Sequence, residues 1–304
     1  MPAFAAIVNP AVSEDKSIVQ LFYETATRGS FANLAMTLQS GTDNTNADAM
    51  RTFEADDAAV ADTSSKGLIP NPSQIGVGLY YGMPTVVAVT LPNVAPTATP
   101  TSHDISMVSP VYRKLASAPL ATTKVAVCNS EENNLYAFFL TGSKDALELA
   151  QYDFKDGGEP TTWLENTGIA ADSCLAAYWN TETSDATVIY QSKSDDRLME
   201  YVIEKNPVTL TTVTDVEAGA NFGVVYSGKQ TYLYYTNSAE QLRVVVKSES
   251  GGWGSPEFLK KTHPKSIPKV ATDSQITVVH SNGINHVFYA SQSSPIVHIR
   301  HPVA

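Results

Sequence analysis

Cysteine is nearly missing from this chain of 304 residues, with Cys128 and Cys174 the only two. A disulfide framework is therefore excluded as the basis of the fold, and reduced, structural thiols in an oxidant-poor compartment are expected. The sequence also lacks a glycosylation sequon free of proline, and its start, Met1-Pro2-Ala3-Phe4-Ala5-Ala6-Ile7-Val8, has no basic segment ahead of a long apolar run. It reads as a strand and not as a secretory signal, so a cytoplasmic location is expected. Apolar runs stop at about six to eight residues against the roughly 20 of a membrane span, so no transmembrane helix is expected. Basic residues are few and scattered: 20 Lys and Arg stand against 31 Asp and Glu, for a net charge of −11. A phosphate backbone demands clustered cations, which argues against nucleic acid as a partner. The G-x-S-x-G elbow, the P-loop, the H-E-x-x-H zinc motif and the dinucleotide fingerprint are all absent. Those absences remove the motif-bearing hydrolases, nucleotide enzymes and zinc proteases.

What the chain does have is aromatic and β-branched residues in short repeated runs. Fourteen Tyr and ten Phe sit in a chain that is 43% hydrophobic and only 17% charged. Residues 173–206 show the repeat: a small-residue strand, Cys174-Leu175-Ala176-Ala177-Tyr178-Trp179, then Thr187-Val188-Ile189-Tyr190-Gln191, then Leu198-Met199-Glu200-Tyr201-Val202-Ile203. Asx-, Ser- and Thr-rich turns separate the three, as hairpins require. The same order recurs from Val125, from Phe222 and from Ile276, and in looser form from Phe4 and from Gln74. Six units at roughly 40–50 residues per blade account for the length. An all-β, six-bladed β-propeller is predicted as one domain over 1–304, with innermost strands near 4–8, 74–81, 124–128, 173–179, 221–227 and 275–280. A seven-bladed ring is the nearest alternative, and a pair of sandwiches leaves the repeat unexplained. Insertions are expected near 41–72 and 92–103, with a short Ala-rich helix permitted over Asp48–Ala61. The last unit stops after its third strand, so residues 1–10 are candidates to complete it.

Candidate functional residues follow from this layout. Tyr80-Tyr81, Tyr178-Trp179, Tyr226 and His280 end innermost strands or lie close to such ends, which a propeller gathers at one mouth of its channel. Trp179, Tyr226 and Tyr81 are expected to wall a ligand pocket there, with Tyr178 and His280 as hydrogen-bond or proton donors. The competing explanation is that such aromatics only fill the wedges between blades. Strand alternation implies that Tyr178 and Trp179 do not both face the channel. Glu200, a carboxylate amid apolar neighbours, is a further substrate-binding candidate. His286 and His298 can face each other across a strand pair, but with no acidic partner nearby they read as partly exposed strand histidines, and no metal is expected.

The unit over 173–206 resembles a blade of the fungal fucose-binding lectins, six-bladed propellers in which an Arg on the second strand, a Glu on the third and a nearby Trp hold each sugar. Here the Arg position carries Gln20, Tyr136, Thr187, Tyr232 or His286, and the second unit has no Arg in its second strand. The Glu position keeps only Glu200, with Gln151, Val244 and His298 elsewhere, while Trp163 and Trp253 match the closing Trp. Without the Arg–Glu pair the bidentate grip on sugar hydroxyls is lost, and fucose binding at the usual inter-blade sites is not expected. A lectin-like propeller with degraded sugar motifs is similar to the hetero-Diels–Alderases of tropolone–sesquiterpenoid biosynthesis. That resemblance implies a pericyclase needing no cofactor and no metal. Its partners would be small molecules: a planar, polyketide-derived tropolone that loses water to give an ortho-quinone methide, and a humulene-type sesquiterpene. A lectin-like carbohydrate binder with altered or lost sugar sites, and a non-catalytic scaffold, remain as alternatives; the oligomeric state is open.

Overall fold

The computed structural model describes residues 3–11, 18–24, 31–32, 34–39, 52–54, 68–92, 99–130, 134–143, 145–165, 168–249, 251–259 and 267–303. Six antiparallel sheets stand around one axis as the blades of a β-propeller. Their innermost strands are Phe4–Val8, Ile75–Tyr80, Val125–Asn129, Ala176–Asn180, Phe222–Ser227 and Thr277–Ser281, and each lies beside the next, with the sixth beside the first. Blades 1 to 5 have four strands each; blade 6 has three, ending with Ser294–Pro302. Tight hairpins join inner to second strands where the sequence allows positive φ, as at Asn282 (50°) and Gly283 (73°). Asn-Gly suits that turn because neither residue meets a severe Cβ penalty there.

Side chains of an inner strand alternate between its two neighbouring blades. Cys174, Ala176 and Tyr178 pack with Phe222 and Val224 of blade 5. Leu175, Ala177 and Trp179 pack with Ala126, Cys128 and Tyr136 of blade 3. The strand turns its backbone edge to the axis, so alternation chooses between seams, and the expected contrast of channel-facing against core-facing residues is replaced. The inner strands crowd: a Cβ on Gly223 would lie 2.6 Å from the carbonyl oxygen of Ile276 on the next blade. Glycine is required at that approach. Tyr190, Tyr235 and Tyr289, one on each second strand of blades 4 to 6, are fully buried in the seams. Aromatic side chains of this kind bury about 150–250 Å² each and dominate the core.

The ring closes differently from the expectation that residues 1–10 complete the last unit. Phe4–Val8 is the inner strand of blade 1, paired with Val19–Glu24. Closure is by face packing, with Phe4, Val19 and Leu21 against Phe288 and Ala290. The N–H of Phe4 also donates to Gln275 Oε1 (3.1 Å) and that of Ala6 to Thr277 Oγ1 (3.2 Å). Within the expected helix over Asp48–Ala61, Thr52–Glu54 is instead the fourth strand of blade 1, and the other residues of that stretch lie outside those described. The described part of the second insertion leads into Ser102–Ser109, the third strand of blade 2. Among the described residues no helix is long and apolar enough to cross a membrane.

Candidate ligand pocket at the channel mouth

Two equivalent glutamines close one end of the central channel. Gln74, just before the inner strand of blade 2, donates to the carbonyl of Leu175 (3.3 Å) and accepts from its N–H (2.9 Å), two blades away. Gln275 accepts from Phe4 and Ile75 N–H and donates to Ile75 O (2.8 Å), tying blade 6 to blades 1 and 2. Side-chain amides mimic backbone pairing here and satisfy inner-strand groups that a sheet edge would leave open. Above this plug the channel is a narrow cavity of about 110 Å³, lined by small and aliphatic residues such as Ala6, Val77, Ala126 and Ala177.

At the opposite end, where inner strands run out, a recess of about 280 Å³ lies between blades 3, 4 and 5. Cys128, Asn129, Ser130, Tyr178, Trp179 and Tyr226 are among its walls. Three of the aromatics expected at a mouth thus line one recess. The ring of Tyr178 lies parallel to that of Tyr226, centroids 6.2 Å apart and planes at 9°. Trp179 lies parallel to Tyr136 across the other seam, at 5.8 Å and 11°. Wedge filling and pocket lining are therefore the same act at these positions.

Tyr178 is turned away from a donor's role. Its hydroxyl donates to Glu200 Oε1 at 2.8 Å, and burial followed by the charge of Glu200 pushes its pKa well above the usual range. Its contribution to the recess is a wall. Tyr81 is also elsewhere: it occupies a turn at φ 48°, is 65% exposed, and sets its ring edge-on to Tyr80. His280 lies on blade 6, outside the recess walls, with Nδ1 2.8 Å from Asn285 Oδ1.

Glu200 sits in the seam of blades 4 and 5, nearly buried. Lys247 of blade 5 places Nζ 2.9 Å from both carboxylate oxygens, and Trp253 Nε1 donates to Oε2 at 3.3 Å. A cation does face this carboxylate, then, but from the third strand of the neighbouring blade instead of the second strand of its own. Sequence reasoning missed Lys247. The available signal was its place as the last residue of the apolar strand Leu242–Lys247, one repeat beyond Glu200. With Tyr178, Lys247 and Trp253 all directed at it, the carboxylate's acceptor capacity is largely spent within the protein.

The other positions that the lectin resemblance singles out carry neutral groups. Trp163 Nε1 donates to Gln151 Oε1 at 2.7 Å within blade 3. His286 and His298 do face each other, Nδ1 to Nε2 3.0 Å, but they are buried, contrary to the expectation of partial exposure. Burial first, with Arg300 and neighbouring imidazoles adding, lowers their pKa values to about 4 and about 3. Among the described residues no group of three or more His, Cys, Asp or Glu is arranged to hold a metal ion. Cys128 and Cys174 are free and buried. Cys128 faces the seam of blades 3 and 4 and Cys174 that of blades 4 and 5.

Comparison with known proteins places this architecture. No family model matches the chain. It is 25% identical over 235 residues to a wall-associated proteinase of Coccidioides immitis (strain RS), spanning 68% of this chain and 71% of the relative. The Coccidioides posadasii protein of the same description matches to the same extent. Among solved structures, the six-bladed fucose-recognising lectin of Aleuria aurantia superposes with a TM-score of 0.65 at 13% identity, covering 98% of this chain and 91% of the lectin. AofleA from Arthrobotrys oligospora superposes with a TM-score of 0.62 at 11% identity, over 99% of this chain and 84% of that one. The chain shares the lectin-like propeller fold.

Proposed function

We propose that this protein binds a planar, weakly polar small molecule in the mouth recess and acts, in the finer form of the reading, as a cofactor-independent hetero-Diels–Alderase. The carrying observation is that Tyr178, Trp179 and Tyr226 surround one open recess while the carboxylate of the sugar clamp is engaged internally. About 280 Å³ lies near the lower end of ordinary ligand pockets. It suits one flat ring system between aromatic walls, with a second, greasier reactant lying over the open side. Loss of water from a hydroxymethyl-tropolone-like precursor gives an ortho-quinone methide. Its four-atom oxygen-containing diene then forms one C–O and one C–C bond with an alkene of a humulene-type terpene. No electrons enter or leave, so the tasks for the protein are holding, aligning and hydrogen bonding. The test is incubation with that precursor and humulenol, followed by chiral separation of adducts. Trp179→Ala and Tyr226→Ala are expected to lose stereocontrol and at least tenfold in adduct formation; unchanged adducts from both variants reject the recess as the site.

A second reading, a carbohydrate binder with altered specificity, is favoured by one observation: Glu200 and Trp253 still face each other across a seam. The Aleuria lectin has been solved with alpha-methyl-L-fucoside bound. A glycan array with wild type and Lys247→Ala separates the readings, because only the carbohydrate reading expects sugar binding there to change with that variant. Peptide hydrolysis, the activity named for the Coccidioides relatives, is not proposed. The described histidine hydrogen bonds run to Thr122 O, Asn285, Tyr234 or another histidine, and none reaches a serine or cysteine.

A further inference from the structure

Trp179, Tyr226 and His280 occupy one position in three successive blades. Each is the penultimate residue of its inner strand, paired with Ala186, Thr231 and Asn285 respectively. Trp179 and Tyr226 wall the recess, and His280 carries the same rim one blade further, partly exposed. Val278, two residues before His280 and on the same side of the strand, packs with Tyr232 and Tyr234, so this side faces blade 5.

Behind His280 runs a chain of side-chain hydrogen bonds. His280 Nδ1 lies 2.8 Å from Asn285 Oδ1, Asn285 Nδ2 donates to the Tyr234 hydroxyl at 2.9 Å, and that hydroxyl lies 2.7 Å from His301 Nδ1. Asn285 and Tyr234 are fully buried, so no solvent competes for these groups. Donor accounting gives the chain a direction. An amide oxygen only accepts, so the hydrogen of a neutral His280 sits on Nδ1. The tyrosine hydroxyl accepts from Asn285, which leaves its own hydrogen available to His301 Nδ1. A neutral imidazole with Nδ1–H leaves a lone pair on Nε2.

We propose that His280 is held as a hydrogen-bond acceptor for a hydroxyl of the bound planar ligand, with Asn285 and Tyr234 as positioning residues that fix its tautomer. This rests on the mouth-binding reading above and reverses the donor role expected for His280. It assigns the ligand an enolic or phenolic O–H on the blade 6 side of its ring.

The test pairs nitrogen-15 NMR of the histidine rings with binding of 2-naphthol and 2-methoxynaphthalene, flat probes that differ in one hydroxyl hydrogen. Wild type is expected to show Nδ1–H on His280 and to prefer 2-naphthol by about tenfold, the size of one net hydrogen bond. His280→Ala should bind both probes alike. Tyr234→Phe keeps the ring but frees the Asn285 amide to rotate, so it should give mixed tautomers and a weakened preference. An Nε2–H tautomer in wild type, or a preference that survives in His280→Ala, overturns the assignment. If both probes bind wild type equally, the mouth-binding reading stands and the role of His280 alone is lost. If neither probe binds while the Nδ1–H tautomer is present, the mouth-binding reading itself fails and takes the acceptor role with it.

Discussion

Replacing Lys247 with Met should show how far the protein depends on the clamped carboxylate of Glu200. The side chains of Lys247 and Glu200 keep 20% and 7% of their exposure. Removing one member of a buried pair costs about 3–5 kcal/mol, because the other charge is left without its counter-ion. Partial exposure of the lysine brings the expectation for Lys247→Met down to about 2–3 kcal/mol. Glu200→Gln should cost less, about 1 kcal/mol, since the freed ammonium can reach water and the carboxamide oxygen still accepts from Tyr178. The double variant leaves no stranded charge, so its loss should fall short of the sum by about 1–2 kcal/mol. Urea unfolding followed by tryptophan fluorescence and far-ultraviolet dichroism reads these differences. With an m-value on the order of 3 kcal/mol per molar, Lys247→Met lowers the midpoint by about 0.7–1 M. Coincidence of the two probes is needed first, because a chain of this size need not unfold in one step. Equal losses in the two single variants, adding within about 0.5 kcal/mol in the double, would refute the claim that charge burial governs this seam.

Glu24 is buried, and desolvation raises its pKa to about 8, with the Ala3 backbone, the N-terminus and Lys124 offsetting only part of the shift. The native state therefore holds this proton more tightly than the unfolded chain, and the associated stability is full below pH 4.5 and lost as pH rises through 8. Glu24→Gln should gain on wild type by on the order of a few kcal/mol across that window, measured by unfolding at fixed pH values, and a constant difference would contradict the shift. The His286–His298 pair has the opposite sign: its folded pKa values lie below 6.5, so stability falls as pH drops from 6.5 towards 4. His298→Gln should make that acid limb shallower, and an unchanged limb in acid titration would place the sensitivity elsewhere. Gln275→Leu strands Phe4 N–H, Ile75 N–H and Ile75 C=O, and should cost about 3 kcal/mol or more in thermal or urea unfolding. A loss below about 1 kcal/mol would show that water replaces the amide at the plugged end.

The propeller was legible in the sequence because each blade repeats one physical problem. An inner strand beside two neighbouring backbones needs small residues, which gives Ala176 and Ala177 or Gly76 and Gly78. A second strand packed on both faces takes large apolar ones, which gives Tyr190, Tyr235 and Tyr289. The plug was not legible. Gln74 and Gln275 follow Ser73 and Ser274, whose hydroxyls both donate to the next carbonyl, and Ser173–Cys174 repeats the serine without the glutamine. Two matches 201 positions apart carry no hydrophobic period, and only the closed ring brings them to one end.

The site was half legible, and the reason lies in how a propeller uses strand alternation. In a sandwich, neighbouring residues choose between core and solvent; around a ring they choose between two seams. Tyr178 and Trp179 therefore both reach the recess rim, while the polar end of Tyr178 is drawn into the seam by Glu200. That carboxylate stands out in sequence, but the lysine facing it lies 47 positions away and belongs to the next repeat. Motifs compared blade by blade miss a clamp assembled across two blades. The same geometry lets Glu200 face a cation although no arginine stands on the second strand of its own blade. Lys247 pairs with the buried carboxylate from the adjoining blade and not from the second strand, while Trp179 and Tyr226 wall the recess.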